Sequence, residues 1–424
     1  MTYEQALAAI HQTPWENSVP GLKRIGELMH ALGNPQDTLR FVHIAGSNGK
    51  GSVAAMTASI LQRAGYVTGL CTSPYIARFN ERMRVNGVSI SDDDLAAVTE
   101  RVLTCAQKMQ ERPTEFELVS AITFAYFAER KCDIVVLEVG LGGRLDATNI
   151  IKAPLVAVIT AIGLEHTALL GDTVEKIAAE KAGIIKPGAT AVVSDQSENI
   201  ISVIADICHA RQVPLRVAQT SAIQRLSQGP EGQRLLYNGV QEYHLPMLGA
   251  HQLQNVGTVL SVVEVLRQKG LTLSQQAVDE GLRNTRWPGR FELLQRAPYF
   301  FVDGGHNPQC AKAVEVTLDE LFPGQKICFL LGVLADKNYQ GIIEPVLPMA
   351  KHIVTITPPS PRAMAAEALS TLLKRDYGMD AKPCATIAQG VATILAQAES
   401  TDIICAYGSL YSVGEIRACF DLYD

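Results

Sequence analysis

The chain has 424 residues, of which 47% are hydrophobic and 19% are charged, and its formal net charge is −6. This composition is that of a soluble globular protein, and the length is too great for one hydrophobic core, so we expect two or three domains. The negative net charge argues against a basic surface for nucleic acid or anionic lipid, and we expect neither a nucleic-acid partner nor membrane association.

The cysteines and the N-terminal residues indicate the cellular compartment. Nine cysteines are scattered from Cys71 to Cys419 without a CxxC pair or a zinc-like cluster, which favours reduced thiols. Residues 1–7 have neither a basic nor an apolar signal region, and no apolar run approaches membrane-spanning length. We therefore expect a cytoplasmic protein, and we expect a monomer, although the sequence does not determine the oligomeric state.

In the first half of the chain, predicted strands alternate with predicted helices. A helix over residues 21–32 is followed by apolar strands at residues 41–45, 67–72, 133–139 and 154–160. An Asn-Gly pair at residues 86–87 predicts a hairpin over residues 83–90. Ser91 and Thr114 each begin a helix, and Glu117 completes a capping box with Thr114. The alternation predicts a mainly parallel sheet with both faces covered by helices.

The most informative motif is HIAGSNGKGS at residues 43–52, between the strand at residues 41–45 and a helix that continues to Gly65. A glycine-rich turn at a helix N-terminus points backbone N–H groups and the positive helix dipole at an anion, and Lys50 adds a full charge. Gly51 separates Lys50 from Ser52, which departs from the usual Walker A spacing. The alternative is a plain connecting turn with a solvated lysine. We predict a nucleotide triphosphate site, hereafter the phosphate loop, formed by Gly46, Ser47, Asn48, Gly49, Lys50, Gly51 and Ser52.

Polar residues stand at or just past the C-terminal ends of these predicted strands, namely Lys50, Ser73, Glu138 and His166. In a parallel sheet those ends share one edge, where ligands bind, so we expect the four residues to lie close together. Glu138 ends an otherwise apolar strand, and it is either a carboxylate bonded by loop N–H groups or a ligand of Mg²⁺. His166 alone would be an ordinary histidine, and its place at a strand end favours a ligand. The run LGGRLDATN at residues 141–149 is too rich in glycine and charge for a plain connector.

The second half repeats the alternation after a junction at residues 284–290. Strands are predicted at residues 291–303, 326–334, 352–357, 381–387 and 401–407, with helices between them. Asp303 and His306 stand where the first of these strands meets a helix, and Ser409 follows the last strand. They are either a helix entry turn and a capping serine or parts of a site at the strand ends.

These patterns predict the fold class α/β. We expect an N-terminal P-loop mononucleotide-binding domain over residues 1–286 with a mainly parallel sheet. A linker at residues 287–290 leads to a smaller Rossmann-like α/β domain over residues 291–424, which has the usual size of a domain. The two domains are expected to share a cleft.

Taken together, the motifs resemble those of folylpolyglutamate synthase and its bifunctional dihydrofolate synthase relatives, within the Mur ligase superfamily. The resemblance covers nearly the whole chain in the expected order, through residues 43–52, 72–76, 78–82, 137–149, 180–184, 287–291, 303–308 and 408–411. The departures are small. Ser47 stands where the family usually has Thr, Tyr75 stands where many members have His, and Gly305 replaces a common Ala.

The resemblance implies an ATP-dependent amide ligation. The γ-phosphate of ATP passes to a folate carboxylate, and the amine of L-glutamate attacks the acyl phosphate to give the amide, ADP and phosphate. A carboxylate is a poor electrophile, so phosphorylation supplies a leaving group, and the transfer needs positioning and charge neutralisation more than covalent help. The sequence leaves open whether dihydropteroate is also an acceptor.

The resemblance also assigns nucleotide and metal ligands. Lys50 and the phosphate loop hold the triphosphate, and the further nucleotide contacts are Asn255, Arg290 and Asp303. Mg²⁺ is held at two sites, the first by Ser73, Glu138 and His166. Local sequence makes Lys181 only a solvated helix charge, whereas the resemblance matches it to a carbamylated lysine that binds the second metal ion.

The remaining assignments concern the two other substrates. His306 and Ser409 match positions near the incoming glutamate, and they form the catalytic set together with Lys50 and Lys181. The residues that match the folate site are Tyr75, Arg78, Phe79 and Arg82.

The sequence leaves two other functions open. A Mur-type ligase acting on cell-wall precursors would share the phosphate loop and Lys181, but it should lack the segments at residues 73–82 and 408–411 in this form. A non-catalytic P-loop nucleotide switch would explain Lys50 but would leave Asp303, His306 and Ser409 without a function.

Overall fold

The computed structural model describes residues 1–12 and 21–422. They form two compact α/β units. The first consists of Met1–Tyr75, Phe79–Ile223 and Gln254–Thr285, and the second of Ile76–Arg78, Gln224–Leu253 and Arg286–Asp424. Residues 224–253, which the sequence analysis assigns to the first domain, thus group with the C-terminal region, and the division into domains 1–286 and 291–424 stays a prediction.

The first unit is built on an eight-stranded sheet. Its strands are β1 Phe41–Ala45, β2 Thr68–Cys71, β3 Met83–Val85, β4 Val88–Ser89, β5 Ile134–Glu138, β6 Val156–Ile159, β7 Thr190–Val193 and β8 Leu215–Val217. The helices are α1 Tyr3–His11, α2 Lys23–Ala31, α3 Lys50–Arg63, α4 Asp92–Ala106, α5 Glu115–Glu129, α6 Thr167–Leu170, α7 Val174–Lys181, α8 Glu198–Arg211, α9 His251–Gln268, whose residues fall in both units, and α10 Gln275–Asn284.

The strand order in this sheet is β4-β3-β2-β5-β1-β6-β7-β8. All pairs are parallel except those made by the β3–β4 hairpin. Every residue of β1, β2, β5 and β6 is buried, as expected for parallel strands covered on both faces. The mainly parallel sheet predicted from the sequence is confirmed.

The predicted helix starts are confirmed by their caps. The Ser91 hydroxyl accepts a hydrogen bond from the Asp94 N–H at 3.0 Å. At the start of α5 the Thr114 hydroxyl accepts from the Glu117 N–H, and the Glu117 carboxylate accepts from the Thr114 N–H at 2.7 Å. These bonds satisfy N–H groups that have no partner within the helix, which is why the two helices begin there.

The second unit contains two sheets. A three-stranded sheet in the order β11-β10-β9, which the sequence analysis did not anticipate, consists of β9 Ile223–Gly229, β10 Gly232–Tyr237 and β11 Gln241–Leu245. A six-stranded sheet has the order β12-β13-β17-β14-β15-β16, from β12 Glu292–Arg296, β13 Tyr299–Asp303, β14 Ile327–Leu331, β15 Ala350–Thr355, β16 Lys382–Pro383 and β17 Ile403–Tyr407. The helices here are α11 Pro308–Leu321, α12 Tyr339–Ile343, α13 Ala366–Tyr377, α14 Ile387–Gln397 and α15 Val413–Ala418.

Two predicted strands of this unit are wrong in extent. The run at residues 291–303 is two antiparallel strands, β12 and β13, that turn at residues 297–298. The strand predicted at residues 381–387 shrinks to the two residues of β16. Proline explains both, since Pro298 and Pro383 have no N–H to donate to a sheet. Among the helices that the structure describes, none is long and apolar enough to cross a lipid bilayer.

Candidate active site

The phosphate loop joins β1 to α3 and tolerates no side chain at two of its glycines. Gly46 and Gly49 have φ angles of 154° and 87°. A Cβ atom on Gly46 would overlap the Thr160 side chain, and one on Gly49 would lie 2.5 Å from the Asn255 amide oxygen. The N–H groups of Ser47 and Asn48 donate to the Ala161 carbonyl at 2.9 and 3.1 Å, which ties the loop to the end of β6.

Lys50 is the first residue of α3, and its side chain folds back over the loop. Its Nζ donates to the Gly46 carbonyl at 2.9 Å and to the Ser47 carbonyl at 3.2 Å. The ammonium group is therefore held inside the loop. An anion could replace the two carbonyls as its hydrogen-bond acceptor. This geometry favours an anion site over the alternative of a solvated lysine on a connecting turn.

The four polar residues predicted at strand ends follow four neighbouring strands. In the sheet, β2, β5, β1 and β6 are consecutive neighbours and all run parallel. Ser73, Glu138, the phosphate loop and His166 lie at or just past the C-terminal ends of these strands, in that order across the sheet. His166 has φ 49°, a conformation uncommon outside glycine that concentrates at functional positions.

Glu138 is buried, and its Oε2 accepts a hydrogen bond from the Ser73 N–H at 3.1 Å. This is the loop-bonded carboxylate that the sequence analysis gave as an alternative to a metal ligand. The two interpretations are compatible, because an ionised carboxylate has about four acceptor positions. Among the described residues, no group of three or more His, Cys, Asp and Glu side chains is placed to hold a metal ion.

Lys181, the last residue of α7, is 2% exposed, so the local expectation of a solvated helix charge is wrong. Its Nζ donates to the Gly46 carbonyl at 2.8 Å and to the Glu165 carboxylate at 3.2 Å. Burial and then the nearby Lys50 lower the pKa of Lys181 to about 8, against the opposing effect of Glu165. Lys181 therefore contacts the phosphate loop, although it lies 135 residues from Gly46 in the sequence.

Glu165 is a residue to which the sequence analysis gave no function. Burial raises its pKa, while Lys50 and Lys181 lower it, and the net shift is downward, so the carboxylate stays ionised between two cations. The sequence feature that points to Glu165 is its position directly before His166, in a loop that follows a strand.

An aromatic cluster lies in residues 75–82, for which the sequence predicts a folate site. The Arg82 guanidinium stacks over the Tyr75 ring at 5.2 Å and over the Phe79 ring at 5.4 Å, and these rings lie 5.9 Å apart. Arg78 belongs to the second compact unit. A small pocket beside this cluster is lined by Arg82 and by residues that the sequence analysis did not name, among them Phe116, Ser120, Thr123 and Phe124.

In the second unit, Asp303 ends β13 beside the end of β17. Its carboxylate is buried and accepts hydrogen bonds from the Phe291 N–H at 2.8 Å and the Gly305 N–H at 2.7 Å. Burial raises the pKa of Asp303, and the Arg290 guanidinium opposes that shift. Asp303 and Arg290 therefore interact electrostatically within this unit.

His306 and Ser409 follow these two neighbouring strands. His306 Nδ1 lies 3.0 Å from the Gly304 carbonyl oxygen. Ser409 is buried, and its hydroxyl accepts from the Tyr411 N–H at 3.3 Å. The helix entry turn and the capping serine are thus real features, and they stand at the strand ends where a site is expected.

Two family profiles match the chain in order along the sequence. Residues 44–263 match the Mur ligase middle domain, and residues 289–410 match the Mur ligase glutamate ligase domain. The chain is 34% identical over 429 residues to the dihydrofolate synthase/folylpolyglutamate synthase of Bacillus subtilis (strain 168), with 98% of each chain covered. The chain belongs to the folylpolyglutamate and dihydrofolate synthase family of Mur ligases.

Solved structures of this family have the same fold. The folylpolyglutamate synthase of Thermotoga maritima is 32% identical, with a TM-score of 0.86 over 99% of this chain and 96% of the other. That of Mycobacterium tuberculosis, complexed with ADP and AMPPCP, is 31% identical, with a TM-score of 0.89 over 99% and 98% of the two chains. The family and the α/β fold predicted from the motifs are confirmed, and the chain is a ligase.

Proposed function

We propose that this ligase uses ATP to add L-glutamate to a carboxylate of a folate, through an acyl phosphate. The observation that supports this most is the strand-end cluster, in which a phosphate loop, two lysines and two carboxylates meet at one edge of a parallel sheet. Such an edge can bind a triphosphate and neutralise the charge that moves with its terminal phosphoryl group. The curated relatives are folate ligases, which favours this reading over a cell-wall ligase and over a non-catalytic switch.

The proposed work of the phosphate loop is to bind and orient ATP. The N–H groups at the start of α3 point out of the helix, and the Lys50 ammonium rests on the Gly46 and Ser47 carbonyls. A triphosphate would replace these carbonyls as the partner of Lys50. Asn255, whose amide lies against Gly49, is proposed to contact the nucleotide, as are Arg290 and Asp303 in the second unit.

Mg²⁺ is the metal proposed for this chemistry, with Ser73, Glu138 and His166 as its ligands. Mg²⁺ takes one or two carboxylates and keeps water and phosphate oxygens as its other ligands, so a full protein cage is not needed. Glu138 supplies a buried anionic oxygen, Ser73 a hydroxyl and His166 an imidazole nitrogen at the same sheet edge. Bound there, the ion would neutralise phosphate charge.

Lys181 is proposed to become carbamylated and to ligate a second metal ion. The structure holds it as a buried amine paired with Glu165, so carbamylation requires that this ion pair open. A pKa of about 8 favours the step, because CO₂ reacts with the neutral amine. The carbamate would bring two hard oxygens to a position that a cation now occupies.

The acceptor is proposed to bind at the Arg82 cluster and the pocket beside it. The half-buried rings of Phe116 and Tyr75 offer apolar surface for an aromatic heterocycle, and Arg82 offers a charge for a carboxylate. Arg78 belongs to the matching segment. On the other substrate, His306 and Ser409 are proposed to orient the incoming L-glutamate. Dihydropteroate, which shares the heterocycle, is a second proposed acceptor.

We further propose that the ligase acts in the cytoplasm as a monomer, without a nucleic-acid or membrane partner. All nine cysteines are free thiols, and six of them are buried, which suits a reducing compartment.

The deciding experiment measures phosphate release from ATP in the presence of L-glutamate and one acceptor at a time. We expect release with tetrahydrofolate or folate diglutamate, and we expect it to need both the acceptor and glutamate. Release with dihydropteroate would add dihydrofolate synthase activity. Release with a UDP-muramoyl peptide alone would establish the cell-wall alternative, and no release with any acid would favour the nucleotide switch.

A further inference from the structure

Two sequence motifs that the proposed function does not fully use pack against each other. One is the run at residues 141–149, here called the arginine loop, and the other is the run at residues 180–184, here called the lysine segment. The arginine loop follows β5, and the lysine segment is the end of α7 with the turn after it. Of these two motifs, only Lys181 takes part in the proposed function.

The two motifs meet backbone to backbone. A Cβ atom on Gly143 would lie 2.7 Å from the Lys181 carbonyl oxygen, and one on Gly183 would overlap the Arg144 Cα. The Arg144 N–H donates to the Glu180 carbonyl at 2.9 Å. Neither glycine has a positive φ angle, so close contact, and not an unusual backbone conformation, is what excludes a side chain at both positions.

Side-chain hydrogen bonds also join the arginine loop to the lysine segment. Arg144 binds the Glu180 carboxylate through two nitrogens, with Nε and Nη2 at 3.0 and 2.9 Å from Oε1. Asn149 donates through Nδ2 to the Arg144 carbonyl at 3.1 Å and to the Gly183 carbonyl at 3.4 Å. The amide of Asn149 thus joins the two motifs.

The arginine loop is itself held in one shape. The buried Asp146 carboxylate accepts from the Leu141 N–H and from the Thr148 N–H, each at 2.9 Å. The loop therefore presents a fixed backbone surface to the residue on which it rests, which is Lys181. The other end of Lys181 reaches the Gly46 carbonyl of the phosphate loop at 2.8 Å.

We propose that the arginine loop is a positioning element, which holds the backbone of Lys181 so that its side chain reaches the phosphate loop. This inference rests on the proposed function, in which Lys181 serves the ligation. A displacement of about 1 Å at a reacting group can cost roughly 100-fold in rate, so a support of this kind matters for turnover. The Arg144–Glu180 pair is half exposed, at 54% and 28%, and such pairs add little to folding stability.

The test compares Arg144→Ala with Arg283→Ala, which removes a matched ion pair. Arg283 and Asp279 lie 3.1 Å apart in α10 with exposures of 59% and 27%. We expect kcat for ligation to fall by about 10- to 100-fold in Arg144→Ala, with little change in the KM for ATP, and to stay unchanged in the control. Thermal unfolding should be alike in the two variants.

A second readout reports the position of Lys181 without any catalysis. Acetylation by an amine-reactive ester, followed by peptide mass mapping, should spare Lys181 in the parent protein and modify Lys152, which is 79% exposed. In Arg144→Ala and in Gly143→Ala we expect several-fold faster labelling of Lys181 relative to Lys152, because the supporting surface is lost or displaced.

Unchanged labelling of Lys181 in both variants would overturn the proposal, whether or not turnover falls. If turnover falls only together with thermal stability, and labelling is unchanged, the contact serves folding stability and not the position of Lys181. If the parent protein ligates no glutamate, the proposed function fails, while the labelling experiment still decides whether the loop positions Lys181.

Discussion

Among single residues of the first unit's candidate site, Gly46 is notable because two lysines bind its carbonyl oxygen. Lys50 and Lys181 both donate to the Gly46 carbonyl, at 2.9 and 2.8 Å. Two ammonium groups this close repel each other, and the repulsion is strong where water is largely excluded. Glu165 supplies the opposing charge. A triphosphate bound at the loop would therefore meet both ammonium groups.

Replacement of Lys50 by Ala should lower kcat by at least about two orders of magnitude, or about 2.7 kcal/mol, because the variant loses a charge that follows the transferred phosphoryl group. The fold should survive, since the hydrogen bonds of the Lys50 side chain go to the loop carbonyls of Gly46 and Ser47. Steady-state phosphate release measures the effect, with the exposed Lys152→Ala as the control. Full activity in Lys50→Ala would remove the phosphate loop from the mechanism.

Lys181→Ala should be nearly inactive and partly rescued by acetate or formate, because a small carboxylate can fill the space of the lysine and supply the oxygens of a carbamate. Lys176→Ala is the matched control, since Lys176 lies on the same helix and is exposed. Ligation is measured with and without the added carboxylate. Parent-like turnover in Lys181→Ala would disprove the carbamate proposal, and loss of activity without rescue would leave Lys181 necessary in another form.

At the scale of elements, the helix that begins in the phosphate loop is held in place by a second helix. α10 packs on α3 so closely that a Cβ atom on Gly281 would lie 2.6 Å from the Ile60 Cα. The Ser59 hydroxyl donates to the Gly281 carbonyl at 2.7 Å. The position of α3, and with it that of Lys50, therefore depends on a glycine in a helix far along the chain.

Gly281→Ala should lower the free energy of unfolding by about 1–3 kcal/mol, because the added methyl group must push α10 away from the α3 backbone. Gly26→Ala is the control, since its Cβ would lie 3.5 Å from Ile150 Cδ1, an ordinary contact. Alanine is a better helix former than glycine by up to about 1 kcal/mol, so this control should be as stable as the parent or more stable. Urea unfolding measures both variants, and equal stability of Gly281→Ala would contradict the packing argument.

In the whole molecule, the second compact unit takes residues from both sides of the predicted linker at residues 287–290. Residues 224–253 belong to the second compact unit, although they precede the predicted linker. Leu248 is buried in the apolar core that contains Phe291 and Phe301. Arg225 binds the Glu320 carboxylate through two nitrogens. One unit is thus assembled from separate stretches of the chain.

If a protease site is inserted within residues 287–290 and the chain is cut there, the two fragments should therefore stay associated under native conditions. The N-terminal fragment carries residues 224–253, which are part of the second unit's core, and burial of Leu248 alone contributes about 1.5–3 kcal/mol. Size-exclusion chromatography checks this, with denaturing urea as the control that must separate the fragments. Separation in native buffer would mean that residues 224–253 do not belong to the second unit.

Sequence patterns alone predict the alternation of strands and helices, the caps at Ser91 and Thr114, the phosphate loop and the family. These are local or nearly local patterns, because hydrophobic period, cap residues and glycine turns act within a few positions of the chain. The predicted strands also end at four polar residues, and a parallel sheet brings such strand ends to one edge. The functions of these residues stay predictions.

Tertiary structure decided what local patterns cannot specify. The strand order β2-β5-β1-β6, the burial of Lys181 against Gly46 and its pairing with Glu165 depend on contacts between distant segments. The environment of a charge depends on what packs around it, which is why Lys181 looks solvated in its own helix and is buried in the fold. The grouping of residues 224–253 with the C-terminal unit has the same cause, because burial of Leu248 among distant aromatic side chains, and not chain order, defines a core.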